Sequence, residues 1–205
     1  MSIETLTFKL YTDSGLTTAF SGSANFTHRT DLSDNPQDTV LYFGSQDTNR
    51  KLRTTTAPGT NQITLTPTDT LPNWDDATAY ALGAVIEPVT PNTFFYLCTT
   101  AGTSGATEPT WPTSGIGSTV VDGTCVWALQ GLKHPITEVK LATTSGGLAG
   151  ATGGAALNLG TEILGGSANA IEVNMRITNT VTDVSSTFGA PQIGVYINSV
   201  QEEVI

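Results

Sequence analysis

Residues 170–179, AIEVNMRITN, alternate without a break. Ile171, Val173, Met175 and Ile177 have one parity, and Glu172, Asn174, Arg176 and Thr178 the other. Successive side chains of a strand point to opposite faces, so this pattern predicts an antiparallel strand with one buried side. The same period of two recurs along the chain. It places Leu6, Phe8 and Leu10 on one face of LTFKLY, and Ile63 and Leu65 on one face of NQITLTPT. Ile193, Val195 and Ile197 face inward in QIGVYINSV; Ile136 and Glu138 oppose Thr137, Val139 and Leu141 in ITEVKLAT. TVLYFGS at 39–45 reads as a strand with a buried centre. Turn clusters (TDSG, LSDNP, APGTN, SSTFGAP) separate these runs. No window of eleven residues keeps apolar positions at helical spacing, so the chain is expected to be all-β, most simply a sandwich.

Composition supports strands and narrows the partners. Charged residues make up only 13% of the 205 residues, against about a quarter in ordinary globular chains. Thr, Ser, Asn and Gln must then supply the polar surface. The net charge of −10 argues against nonspecific binding to nucleic acid, which requires neutralised phosphates. No apolar run reaches the ~20 residues of a helical membrane span. The opening MSIETLTFKLYTD lacks the basic start and continuous apolar region of a signal peptide, so synthesis in a cytoplasm is expected. The Gly- and Ala-rich stretch at 143–169 carries spaced leucines (Leu148, Leu157, Leu159, Leu164). It is expected to be ordered but irregular, with loops and a short strand, and a neighbouring subunit could complete it.

Composition changes near residue 73 and again near 130. Between them lie every Trp, both Cys, the acids Asp75, Asp76, Glu87, Glu108 and Asp122, and no Lys or Arg. A separate folding unit is the natural reading. Each flank alone has too few strands for a stable core. The expected organisation is a discontinuous antiparallel β-sandwich host, residues 1–72 plus 131–205, with a small aromatic-rich β module at 73–130 inserted at a loop.

The module has a recognisable pattern. Trp74, then Thr78-Ala79-Tyr80 and Gly83, then FFYLC with Tyr96 and Cys98, then Cys125-Val126-Trp127, resembles the small chitin-binding modules of bacterial chitinases. It is still more similar to the version found in tailed-phage virion proteins, which carry phrases like CTTAGTSGATEPTWPT. The flanks also resemble phage virion proteins in style. The resemblance implies a carbohydrate-binding-like module in which Trp74, Tyr80, Tyr96 and Trp127 keep the fold. Trp74, Tyr80 and Trp111 are its candidate glycan contacts, since a sugar ring stacks its apolar face on an aromatic. Trp111, between Pro109 and Pro112, is the best exposed-aromatic candidate. Its alternative role is to fold back and cap the module core. Where the chitinase modules have an acid after the glycine, this chain has Ala84.

No motif carries catalytic chemistry. The glycines of GGLAGATGG lack the Lys-Ser/Thr ending of a phosphate loop, and no GxSxG elbow is present. His28 near Asp31 and Asp34 reads as a solvated loop residue, and His134 as a linker residue. DLSDNPQD at 31–38 lacks the central Gly and terminal Glu of a calcium loop. Cys98 and Cys125 read as two buried thiols or as one disulfide; two Cys and two distant His predict no metal site. The expectation is therefore a protein that is not an enzyme and needs no cofactor. The resemblance points to a bacteriophage virion structural protein, a capsid decoration protein displaying the module. Its partners would be the major capsid protein or a tail protein, further copies in a symmetric homo-oligomer, and a host-surface glycan. Its location would be the virion surface. A tail or baseplate accessory protein is the alternative, and an accessory module of a polysaccharide hydrolase is a third reading.

Overall fold

The computed structural model describes residues 6–20, 33–181 and 193–205. Two compact units emerge. Unit 1 takes in the chain through Thr68, then Ile136–Asn179 and Gly194–Ile205; unit 2 is Asp69–Pro135 with the described ends of Thr180–Ile193. The expected module at 73–130 falls within unit 2.

The chain is all-β. Among the described residues there is no α-helix, only short 3-10 turns. Its first strands are β1 (Lys9–Tyr11), β2 (Gln37–Gly44), β3 (Arg50–Thr54) and β4 (Ile63–Asp69). Next come β5 (Ala79–Tyr80), β6 (Val85–Ile86), β7 (Phe94–Thr100), β8 (Gly102–Thr103), β9 (Thr119–Asp122) and β10 (Cys125–Leu132). The remainder are β11 (Val139–Ala142), β12 (Leu157–Gly160), β13 (Glu162–Leu164), β14 (Ile171–Ile177), β15 (Ile193–Ile197) and β16 (Val200–Val204).

Three sheets build unit 1, in the orders β1-β2-β14-β11, β12-β4-β15 and β13-β3-β16. β14, the most regular run of the sequence, lies between β2 and β11 and pairs antiparallel with both. Val173 stands opposite Leu41, and Met175 opposite Leu141. These four side chains are buried, as are Phe8, Phe43, Leu52, Ile63 and Leu65. The sheet around β3 shows alternation at its sharpest. Leu52, beside Ile163, is wholly buried. Its neighbours Lys51 and Arg53 form an ionic lattice with Glu162 and Glu203, and the Arg53 Nε donates to Glu162 at 2.6 Å.

Several local expectations need correction. Ile136–Glu138 is a 3-10 turn, so this strand begins only at Val139. Pro135 precedes it with a fixed φ suited to starting a turn. Glu138 is buried, and its carbonyl accepts the Thr178 N–H. Asn174, expected to face solvent, is also buried and donates to the Glu172 carboxylate at 2.7 Å. The Gly-rich stretch supplies two short strands, β12 and β13, and two 3-10 turns. Its glycines allow close approach: a Cβ on Gly153 would sit 1.9 Å from the Thr137 carbonyl oxygen. Just before β1, Phe8 is buried as expected, but Leu6 is exposed.

Unit 2 has a sheet in the order β6-β7-β10-β9 and a small β5-β8 ribbon. Cross-strand rows place Ile86, Tyr96 and Leu129 together, with Cys98, Trp127 and Val120 alongside. Both rows belong to one core with Trp74 and Cys125. A two-residue turn joins β9 to β10. Gly123 occupies its first position with φ 59°, as a type II′ hairpin requires.

Candidate functional site

The aromatic core of unit 2 is organised around one carboxylate. Asp122 ends β9, directly opposite Cys125, and is only 3% exposed. One of its oxygens accepts the indole N–H of Trp74 at 2.8 Å and that of Trp127 at 3.1 Å. The other accepts the backbone N–H of Gly105 at 2.7 Å. Three donors thus satisfy a buried anion, and charge-assisted bonds of this kind are the strong ones. Trp74 is 5% exposed and Trp127 is wholly buried.

Two aromatics cover Trp127. Tyr80 meets it edge-on at 4.8 Å between ring centroids, and Trp111 lies at 6.1 Å in a similar edge arrangement. Both are half-buried. Tyr80 is held by its hydroxyl, which accepts the Asp75 N–H at 2.7 Å. Burial raises the Tyr80 pKa above the usual phenol value, against the lowering effect of that bond. The loop behind it is tied by Ser104, whose Oγ accepts from the Thr78 N–H and donates to the Asp75 carbonyl.

Trp111 is held from three sides. Its ring packs on Tyr96 with centroids 4.4 Å apart and planes tilted by 36°. Its indole N–H donates to Glu108 at 2.9 Å, and the same Glu108 oxygen accepts the Val89 N–H at 2.8 Å. The Tyr96 hydroxyl donates to the Pro112 carbonyl at 2.9 Å and accepts from the Asn92 side chain. Burial pushes the Tyr96 pKa up. Trp111 therefore folds back on the core and keeps only part of its ring in solvent.

No protein-family model, curated protein or solved structure matches this chain. Its chemistry must be read from the residues themselves.

The three aromatics singled out from sequence divide into two kinds. Trp74 is a core residue: it offers no ring face to a ligand, and its N–H is spent on Asp122. Tyr80 and Trp111 each pack edge-on against Trp127 and retain exposed surface. Asp75 and Asp76 are exposed beside Tyr80 in the chain, and Glu108 is half-exposed beneath Trp111. These two partly exposed rings, each fixed against Trp127, are the candidate rim of a site. Sequence reading missed the part played by Asp122. The available signal was a lone acid at the end of an apolar strand, in VVDGTCVW.

A second ionic cluster lies where unit 2 begins and ends. Lys133 is paired with both Asp69 and Glu87. Burial disfavours the Lys133 charge, but the two carboxylates outweigh it and hold its pKa above the ordinary lysine value. Glu87 is 7% exposed. Its backbone carbonyl accepts from Trp74 and its N–H donates to Pro72, so the first and last segments of the unit are joined there.

Among the described residues no group of three His, Cys, Asp or Glu side chains could hold a metal ion, and no helix is long and apolar enough to cross a membrane. His28 and Asp31 lie outside the described residues. Of the acids near them, Asp38 is engaged by both ends of the Arg176 guanidinium at 2.7 Å. Those hydrogen bonds hold the Asp38 pKa below the usual carboxylate value.

Proposed function

We propose that this chain is a non-enzymatic structural protein of a bacteriophage particle, a capsid decoration protein whose unit 2 is a display module for a surface glycan. Unit 1 is the assembly domain, docking on the capsid lattice alongside further copies of itself. The resemblance of residues 73–130 to phage virion modules motivates this reading. The structural observation that supports it is the rim formed by Tyr80 and Trp111 over Trp127. A sugar ring would rest its apolar face on the exposed part of these rings, and Asp75 and Asp76 would accept hydrogen bonds from its hydroxyls. The rim is preorganised, because both rings are fixed by packing and by hydrogen bonds to their own loops. Weak contacts at one copy would multiply over a lattice, where avidity can exceed single-site affinity by about two to four orders of magnitude.

Cryo-EM of purified particles tests the placement. Density over the capsomers in hundreds of copies is expected; a few copies at the tail end would make the chain a tail or baseplate accessory protein instead. Absence from particles would end both readings. The glycan reading is tested on an array with wild-type protein, Tyr80→Ala and Tyr80→Phe. Loss of binding by about tenfold or more for Tyr80→Ala, with Tyr80→Phe retaining most of it, is expected. Equal binding by all three would remove Tyr80 from the site.

A further inference from the structure

Cys98 and Cys125 are both free, wholly buried, and members of the same core cluster. Cys98 lies on β7 opposite Trp127, and Cys125 is two places along β10 from that Trp, so both thiols face the core. The ladder between them is irregular. Trp127 pairs with Cys98 while Val126 pairs with Thr100, which leaves Thr99 as an extra residue on β7. Such a bulge bends the strand and changes the diagonal across the ladder. Cys98 and Cys125 thus sit diagonally on neighbouring strands within one buried cluster, and the Cys98 Sγ donates to the Thr100 carbonyl at 3.2 Å.

We propose that Cys98 and Cys125 are a redox pair, which closes to an intramolecular disulfide and staples the loop that carries Trp111. The co-reactant is a small disulfide of the glutathione class. One protein thiolate attacks it, forming a mixed disulfide and releasing one small thiol. The second protein thiolate attacks the bound protein sulfur, forming the Cys98–Cys125 bond and releasing the other small thiol. Two protein thiols are oxidised and one small disulfide is reduced to two thiols. The protons lost by the protein are those gained by the leaving thiols.

The position gives the bond a purpose. Residues 98–125 include Ser104, Glu108 and Trp111, the groups that organise the candidate rim, and the ring would close around all of them. Cross-linking a loop of this length stabilises chiefly by restricting the unfolded chain. Both thiols are fully buried, and burial pushes both of their pKa values up, so reaction requires a local opening of unit 2. A chain made in a reducing compartment and carried into an oxidising one would acquire the staple on the way.

The full chain treated with oxidised glutathione, then denatured and alkylated, tests this by intact mass. Expected is the loss of both alkylatable thiols together, with a mass about 2 Da below that of the reduced, unalkylated chain, the two hydrogens removed in forming the bond. The melt followed by Trp emission should rise by roughly 5–15 °C, and dithiothreitol should reverse both changes. Cys98→Ser and Cys125→Ser should each stop at a single glutathione adduct. Two alkylatable thiols persisting after unfolding and refolding in the same oxidant would overturn the proposal. So would an oxidised form that melts below the reduced one.

Discussion

At Asp122 one carboxylate answers two buried indoles and a backbone N–H, and removing it leaves three donors without a partner. An unsatisfied buried donor costs about 1–3 kcal/mol, so Asp122→Ala is expected to destabilise unit 2 by about 3 kcal/mol or more. All three Trp residues lie in this unit, so Trp emission follows it selectively. The melt should fall by more than about 10 °C, while an unchanged melt would show that water satisfies these groups. Lys133 makes a separate prediction. Its pKa is raised in the folded state, so its contribution is complete below the unfolded lysine value of about 10.4 and is lost as pH climbs through the folded one. Tyr80 and Tyr96 are raised by burial and act in the same alkaline direction. The Lys133 share is therefore read by difference: urea midpoints from about pH 8 to 11.5 should fall more steeply for wild type than for Lys133→Met. At neutral pH the variant should be weaker by about 3 kcal/mol, because Glu87 is left buried without its cation.

Strands were the most legible elements, for a physical reason. An alternating pattern reports one buried face, and β14, β4 and the centre of β2 show it plainly. Their core faces hold Val173 and Met175, Ile63 and Leu65, and Leu41 and Phe43. Alternation fails where a polar group is buried with its own partner, as at Asn174, and where the chain is a turn, as at Glu138. It fails too where a turn sends an apolar side chain inward: Leu16 lies in the TDSG turn region with φ 57° and is almost fully buried. The β9–β10 hairpin is testable at this scale. A Cβ on Gly123 would stand 2.3 Å from the Thr103 carbonyl oxygen, and the residue already has positive φ. Gly123→Ala should cost about 2 kcal/mol or more and speed amide exchange along β9 and β10. Protection matching wild type would mean that the turn relaxes freely.

Over the whole molecule, the compositional break near residues 73 and 130 lies close to the edges of the compact unit Asp69–Pro135. The ionic cluster of Asp69, Glu87 and Lys133 joins the two ends of that unit. If the ends are held together locally, the remaining chain should not need the unit in order to fold. Replacing 69–135 by a short Gly/Ser linker is therefore expected to leave a cooperative melt, seen by far-UV circular dichroism. Loss of any cooperative transition would show that unit 1 depends on unit 2. The sheets of unit 1 could not have been ordered from the sequence. β2 and β14, or β3 and β16, are far apart in the chain, and any strand of suitable period can satisfy the pleat.

By itself the sequence determined the all-β class, the buried faces of its most regular strands and the concentration of aromatics in one region, because each follows from the period or composition of a local stretch. Tertiary structure alone decided which strands are neighbours and that Asp122 bridges two indoles. It also decided that Trp74 is core and that Trp111 folds back onto Tyr96. Those outcomes depend on contacts between distant segments, where burial and hydrogen-bond satisfaction settle a choice that local pattern leaves open.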